Sequence, residues 1–219
     1  MNAQEKITMT IPLDEVELKG DLAIPANAHA LVIFAHGSGS SRLSPRNQMV
    51  AAYLNSIGLG TLLFDLLTYE EDNNYSTRFD INLLAHRLWE TTLWVEGQNW
   101  GKNIQLGFFG ASTGAAAALV AASTLPQVLA IVSRGGRPDL AFTALPKVKA
   151  ATMLIVGGND TQVLKLNQKA YNELRSEKKL ELVPGASHLF EEKGTMEQVC
   201  LLAGSWFEKH LHPIPLLND

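Results

Sequence analysis

Three short stretches of the chain hold side chains suited to nucleophilic chemistry: Gly110-Ala111-Ser112-Thr113-Gly114, Gly157-Gly158-Asn159-Asp160 and Pro184-Gly185-Ala186-Ser187-His188. A serine hydroxyl is a poor nucleophile until a neighbouring imidazole takes its proton. The imidazole in turn needs a carboxylate to fix its tautomer and stabilise its charged form. Ser112, Asp160 and His188 supply these groups in that chain order. Glycines on both sides of Ser112 suit a sharp strand-to-helix turn, where dihedrals are strained and a Cβ would obstruct close backbone contacts. The amide of Thr113, opening the following helix, then points to where an oxyanion would form. The backbone N–H of Ser38, in His36-Gly37-Ser38-Gly39-Ser40-Ser41, is the candidate second donor.

The spacing G-x-S-x-G is a modest signal by itself: with 17 glycines and 12 serines, random placement yields it in roughly 7% of such chains. Its setting adds weight, because it follows one apolar run and is trailed by an acid and a histidine at the ends of later ones. Plainer roles compete at each position. Ser112 as a helix N-cap accounts for the serine but not for both glycines. Asp160 is also placed to cap a helix beginning near Thr161. Asp65 is a rival acid, since it too ends an apolar run. Among the histidines, His29 precedes a strand, His86 lies within a helical pattern, His210 and His212 sit at a helix end, and His36 is suited to bracing its own loop. His188 is favoured by position rather than by type.

Such groups converge only if strands end where they stand. ITMTI (7–11) and VELKGDLAI (16–24) read as an antiparallel pair opening a sheet. LVIFAH (31–36), TLLFDL (61–66), NIQLGFF (103–109), VLAIVS (128–133), ATMLIVG (151–157) and LELV (180–183) read as further strands, their near-continuous apolarity marking burial on both faces. Ser44-Pro45 supplies an N-cap and first-turn proline for a helix through Ile57, with Gly58 at its end. Ile81, Leu84, Leu88 and Val95 recur at helical spacing over about 80–96, and further helices are expected over 113–124, about 163–176 and 195–210, the last stopping before Pro213. Strands alternating with helices imply a mostly parallel sheet with helices on both faces. In such a sheet chemistry gathers beyond the carboxyl ends of the strands, where Ser112, Asp160 and His188 all fall.

Composition narrows the function classes. The 219 residues are 46% hydrophobic and 18% charged, which fits a single domain over 1–219 around one core. A net charge of −4 with both signs scattered gives no basic patch for nucleic acid. The lone Cys200 cannot form an internal disulfide, and no Cys/His cluster has zinc spacing. The opening MNAQEKITMTIP has no apolar block of signal-peptide length, and no stretch reaches roughly 18 uninterrupted apolar residues, so a cytoplasmic protein that does not engage membrane is expected.

A dinucleotide-binding unit is the sharpest rival motif: LVIFAHGSGSSR, a helix, then TLLFD. It fails because Arg42 stands at the third glycine position and Ser44-Pro45 delays the helix past the turn. Only Arg134 to Ala150 separate the sixth and seventh strands, too little for a lid domain. Arg42, Arg46, Arg134 and Arg137 lie in loops at the candidate site, where guanidinium groups suit an anionic substrate, Arg42 and Arg134 above all. The plainer reading pairs them with Glu70, Glu71 or Asp139 as loop braces.

Taken together, HGSGSS after the third strand, GASTG after the fifth, GGNDTQV after the seventh and PGASHLF after the eighth resemble the α/β-hydrolase fold, and within it the dienelactone hydrolase family. The resemblance covers essentially the whole chain. It implies an eight-stranded, mostly parallel sheet with helices on both faces and no cap domain. It also implies Ser112 as nucleophile, Asp160 as acid and His188 as base, with the Ser38 and Thr113 amides as oxyanion hole. Dienelactone hydrolases proper carry cysteine where this chain has Ser112, so the fold and triad carry over and dienelactone as substrate does not. The function expected is a serine hydrolase or esterase acting on a small-molecule ester or lactone, without metal or cofactor. A non-catalytic ligand-binding module on the same fold and an acyltransferase are the alternatives, and self-association into a homo-oligomer stays open.

Overall fold

The structure is a computed structural model that describes residues 6–212. Eight strands form one sheet in the order β1-β2-β4-β3-β5-β6-β7-β8. They are β1 (Ile7–Pro12), β2 (Glu17–Ala23), β3 (Ala30–Ala35), β4 (Gly60–Phe64), β5 (Gln105–Ala111), β6 (Val128–Arg134), β7 (Ala151–Gly157) and β8 (Lys178–Val183). β1 and β2 pair antiparallel, β2 runs antiparallel to β4, and every pairing from β4 to β8 is parallel. This is the mostly parallel sheet expected from the apolar runs, with the eight strands that the resemblance to the α/β-hydrolase fold implies.

Those runs are continuous because both faces of the sheet are covered. In β3, Leu31 and Ile33 pack into one apolar cluster with Leu84 and Leu88 of α3 (Ile81–Gly97) and the alanines of α4 (Thr113–Ala122). Val32 and Phe34 pack into the other, with Val50 and Leu54 of α1 (Pro45–Ser56) and Val199, Ala203 and Phe207 of α6 (Thr195–His210). Alternate side chains leave a strand on opposite sides, so a strand between two helical layers has no face left for polar residues.

Helix ends follow local chemistry. The Ser44 side chain accepts the Asn47 N–H at the start of α1, as Ser44-Pro45 predicts. α5 (Thr161–Glu173) begins two residues earlier than its apolar spacing suggests, because Asp160 caps it by accepting the Val163 N–H. α6 ends at His210, and the proline expected to stop it, Pro213, lies outside the described residues. A short helix α2 (Tyr69–Asp72) within the polar segment 68–78 is held by a reciprocal capping box between Thr68 and Glu71. Between β6 and β7 stand only two 3-10 turns, Pro138–Ala141 and Leu145–Lys147, so this connection inserts no lid domain. Among the described residues no helix is long and apolar enough to cross a membrane.

Candidate active site

The turn between β5 and α4 sets Ser112 at φ 50°, ψ −119°, a left-handed conformation that costs a non-glycine residue energy and persists only where the surroundings enforce it. The enforcement is visible. The Ser112 N–H donates to the Arg134 carbonyl at 3.2 Å, and the Ser112 carbonyl accepts from Ala115 and Arg137 at 3.1 and 3.2 Å. The flanking glycines permit the packing that tightens the turn. A Cβ on Gly110 would sit 2.4 Å from Ala115 Cα, and one on Gly114 would sit 2.2 Å from the Ala35 carbonyl oxygen of β3. The Ser112 side chain makes no capping bond to α4, so the plain N-cap role is not the one it plays.

His188 follows β8 in the loop before α6. Its Nδ1 lies 2.7 Å from Asp160 Oδ2, while Asp160 Oδ1 is the oxygen that caps α5. Asp160 thus uses one oxygen to cap the helix and the other to contact His188. With Nδ1–H donating to the carboxylate, Nε2 of the neutral ring is the free basic nitrogen. Ser112 and His188 line one cavity of about 250 Å³, together with Gly37, Ser38, Ser40, Ser44, Arg46, Asn47 and Arg134.

Ser38 lines this cavity, but its N–H donates to Thr113 Oγ1 at 2.8 Å, so in the free protein that donor is occupied by a neighbouring side chain. Thr113 itself is buried and is the first residue of α4, where amides lack intrahelical acceptors.

Arg42 sits among carboxylates. Its Nη1 bonds Asp65 Oδ2 at 2.5 Å, its backbone N–H donates to Asp65 Oδ1 at 2.8 Å, and its Nε lies 3.6 Å from Asp21 Oδ2. Two carboxylates pair with it, it is not among the residues lining the Ser112 cavity, and in this position it braces the loop after β3. The same contacts explain Asp65, which serves Arg42 and not His188. His36 braces the loop as expected: Nδ1 donates to the Gly37 carbonyl at 2.9 Å, Nε2 accepts the Leu66 N–H at 3.0 Å, and burial lowers its pKa below 6.5. Arg137 pairs with Asp139 through two 2.8 Å bonds. His29 bonds the Leu211 carbonyl, and His86 stacks on Trp89, both away from the site.

Arg134 does line the cavity, as expected of a site arginine. Asn47 lines it too and escapes a reading by motif. Its signal was an amide at the helical spacing of the buried residues Val50, Ala51 and Leu54, where a core face has no use for one unless it serves a site.

The comparisons with known proteins bear on the family and the fold. No protein-family model matches the chain. Two curated proteins of Mycobacterium tuberculosis, from strains CDC 1551 / Oshkosh and H37Rv, are each 54% identical over 197 residues and carry the name "Putative phosphoribosyl transferase". The match covers 90% of this chain and 44% of theirs, so the chain spans less than half the length of these relatives. Among solved structures, a dienelactone hydrolase from Anabaena variabilis is 50% identical with a TM-score of 0.94, covering 95% of this chain and 99% of that one. A Xanthomonas campestris protein described as an α/β serine hydrolase without lid shares the fold at TM-score 0.79 and 19% identity, covering 97% of this chain and 98% of that one.

Proposed function

The chain belongs to the dienelactone hydrolase family of the α/β-hydrolase fold, and from that premise we propose that it is a serine hydrolase cleaving a carboxylic ester or lactone through an acyl-enzyme. One observation carries this reading: a serine in a strained turn and a histidine anchored by a carboxylate stand on the wall of the same cavity.

In this reading His188 Nε2 takes the Ser112 hydroxyl proton as Oγ attacks the carbonyl carbon, and Asp160 stabilises the imidazolium that results. The Thr113 amide, at the positive end of α4, donates to the oxyanion. The Ser38 amide joins it once the Thr113 side chain rotates away, exchanging a neutral acceptor for a charged one. His188 then gives its proton to the departing alkoxide, which leaves as the alcohol. A water deprotonated by His188 attacks the acyl carbon, the ester bond to Oγ breaks, and Ser112 recovers its proton. A serine cannot rely on the appreciable thiolate fraction available to cysteine, so the Asp160–His188 pair matters more here than beside a thiol.

The transferase name of the mycobacterial relatives belongs to proteins of which this stretch is less than half. For this stretch the side chains around Ser112 support acyl transfer to water. Hydrolysis of p-nitrophenyl acetate by the purified protein, compared with Ser112→Ala, tests the reading; equal turnover by the two proteins would contradict it.

A further inference from the structure

Arg134 ends β6 and is the register partner of Ala111, the residue before Ser112. It is buried to within 6% of full enclosure and lines the Ser112 cavity, yet among the described residues no carboxylate pairs with it. Its polar contact is with Asn47 Oδ1 at 3.5 Å, its guanidinium lies 5.6 Å from the centre of the Phe190 ring, and its Nε is buried with no hydrogen-bond acceptor. Burial, and then the charge of nearby Arg46, pulls its pKa down to about 10, which leaves it charged at neutral pH.

Arg46 is a second cation on the same wall. Its Nε is also buried without an acceptor, and its Nη1 reaches only the exposed Glu191 at 3.5 Å. Arg46 and Asn47 belong to the first turn of α1, whose N-terminus adds positive potential, and Ser40 and Ser44 are among the residues lining the wall beside them. Folding gains nothing from enclosing a guanidinium that has no counter-charge, since the lost hydration is not recovered. A bound anion recovers it.

We propose that this wall is an anion subsite, and that the ester cleaved at Ser112 carries a phosphate-type dianion on its non-reacting part, gripped by Arg134 and Arg46. Two guanidiniums from separate elements and a helix N-terminus surround the space. That arrangement suits a tetrahedral group with three terminal oxygens, whereas a planar carboxylate is satisfied by a single fork. The reaction half of the inference rests on the serine-hydrolase reading, and the binding half does not.

The test compares p-nitrophenyl esters of 4-phosphonobutanoic acid, glutaric acid (as the monoester) and pentanoic acid, which share one acyl chain and differ in the tail: a tetrahedral phosphonate, a planar carboxylate or an uncharged methyl. The phosphono ester is expected to exceed the pentanoate in kcat/KM by about 10- to 100-fold, the range of a charge-assisted contact, with the glutarate between. Arg134→Gln should collapse that ratio; because Arg134 is buried, the half-exposed Arg46→Gln provides a second reading, expected to cut the ratio about tenfold. Inorganic phosphate should bind the wild-type protein in calorimetry and bind Arg46→Gln more weakly. Equal kcat/KM for phosphono ester and pentanoate, or a preference for glutarate, overturns the phosphate assignment while leaving the hydrolase standing. No turnover of any ester, with phosphate binding retained and sensitive to Arg46, overturns the hydrolase and leaves the subsite.

Discussion

The two flanks of the loop after β3 treat arginine in opposite ways. On one flank Arg42 is held by Asp65 and Asp21, and Asp21 also accepts from Lys6 and Thr8. On the other, Arg134 and Arg46 reach the Ser112 cavity with one exposed carboxylate, Glu191, between them. The first flank answers its charges internally, and the second keeps charge in reserve beside a nucleophile. Size would point the wrong way: the larger cavity, about 430 Å³, lies on the braced flank, where Asp65, Glu70 and Asp72 line it and Ser112 does not. A strand-end residue acquires its role from what its neighbours leave unsatisfied.

The contrast breaks most sharply at Asp160. Asparagine caps a helix about as well as aspartate but cannot hold His188 in the same tautomer, so Asp160→Asn should keep thermal stability close to wild type while kcat falls by about 10⁴-fold. A parallel loss of melting temperature would mean that the cap, not the histidine, is what the carboxylate serves. Next in size is Gly114→Ala, whose new Cβ meets β3 backbone; chemical denaturation should register a loss of about 3 kcal/mol or more, in the range of severe overpacking.

The two arginines then separate by readout. Arg42→Gln strands two carboxylates in a partly exposed network and should cost about 1–3 kcal/mol of stability in urea melts. Arg134→Met removes a buried charge that no carboxylate among the described residues pairs, and its stability should change by less than about 1 kcal/mol or rise. Reversed outcomes would erase the distinction between brace and reserve.

The smallest effect is on pH. His36 is held in its neutral form, and its folded pKa lies below the ordinary 6.5. The unfolded chain therefore binds more protons as pH falls past that value. Stability from this site is complete above about pH 6.5 and declines as pH drops through it, at up to roughly 1.4 kcal/mol per pH unit. Urea midpoints between about pH 5 and pH 8 should show the decline, and His36→Asn should flatten it.

Much of this was legible in the chain. β3 to β7 follow apolar runs because burial on both faces leaves a continuous mark, whereas the edge strand β8, expected to be buried likewise, is half exposed; the Ser112 turn declares itself through glycines that no other role requires. α2 was legible too, through Thr68-Tyr69-Glu70-Glu71, yet apolar periodicity passes over it because the helix buries nothing. The partners of Arg42 were not legible: Asp65 and Asp21 reach it from β4's end and from an antiparallel strand whose register no local pattern states. The isolation of Arg134 was the least accessible feature, since the lack of a counter-charge is a property of everything around a residue and not of the residue.

If Ser112 is the reactive group, it is the serine that a mechanism-based reagent labels. The protein should be treated with a fluorophosphonate and its peptides mapped by mass spectrometry. A single stoichiometric adduct on Ser112, lost in His188→Ala, is expected. An unmodified Ser112, or an adduct on any of the other serines instead, would contradict it.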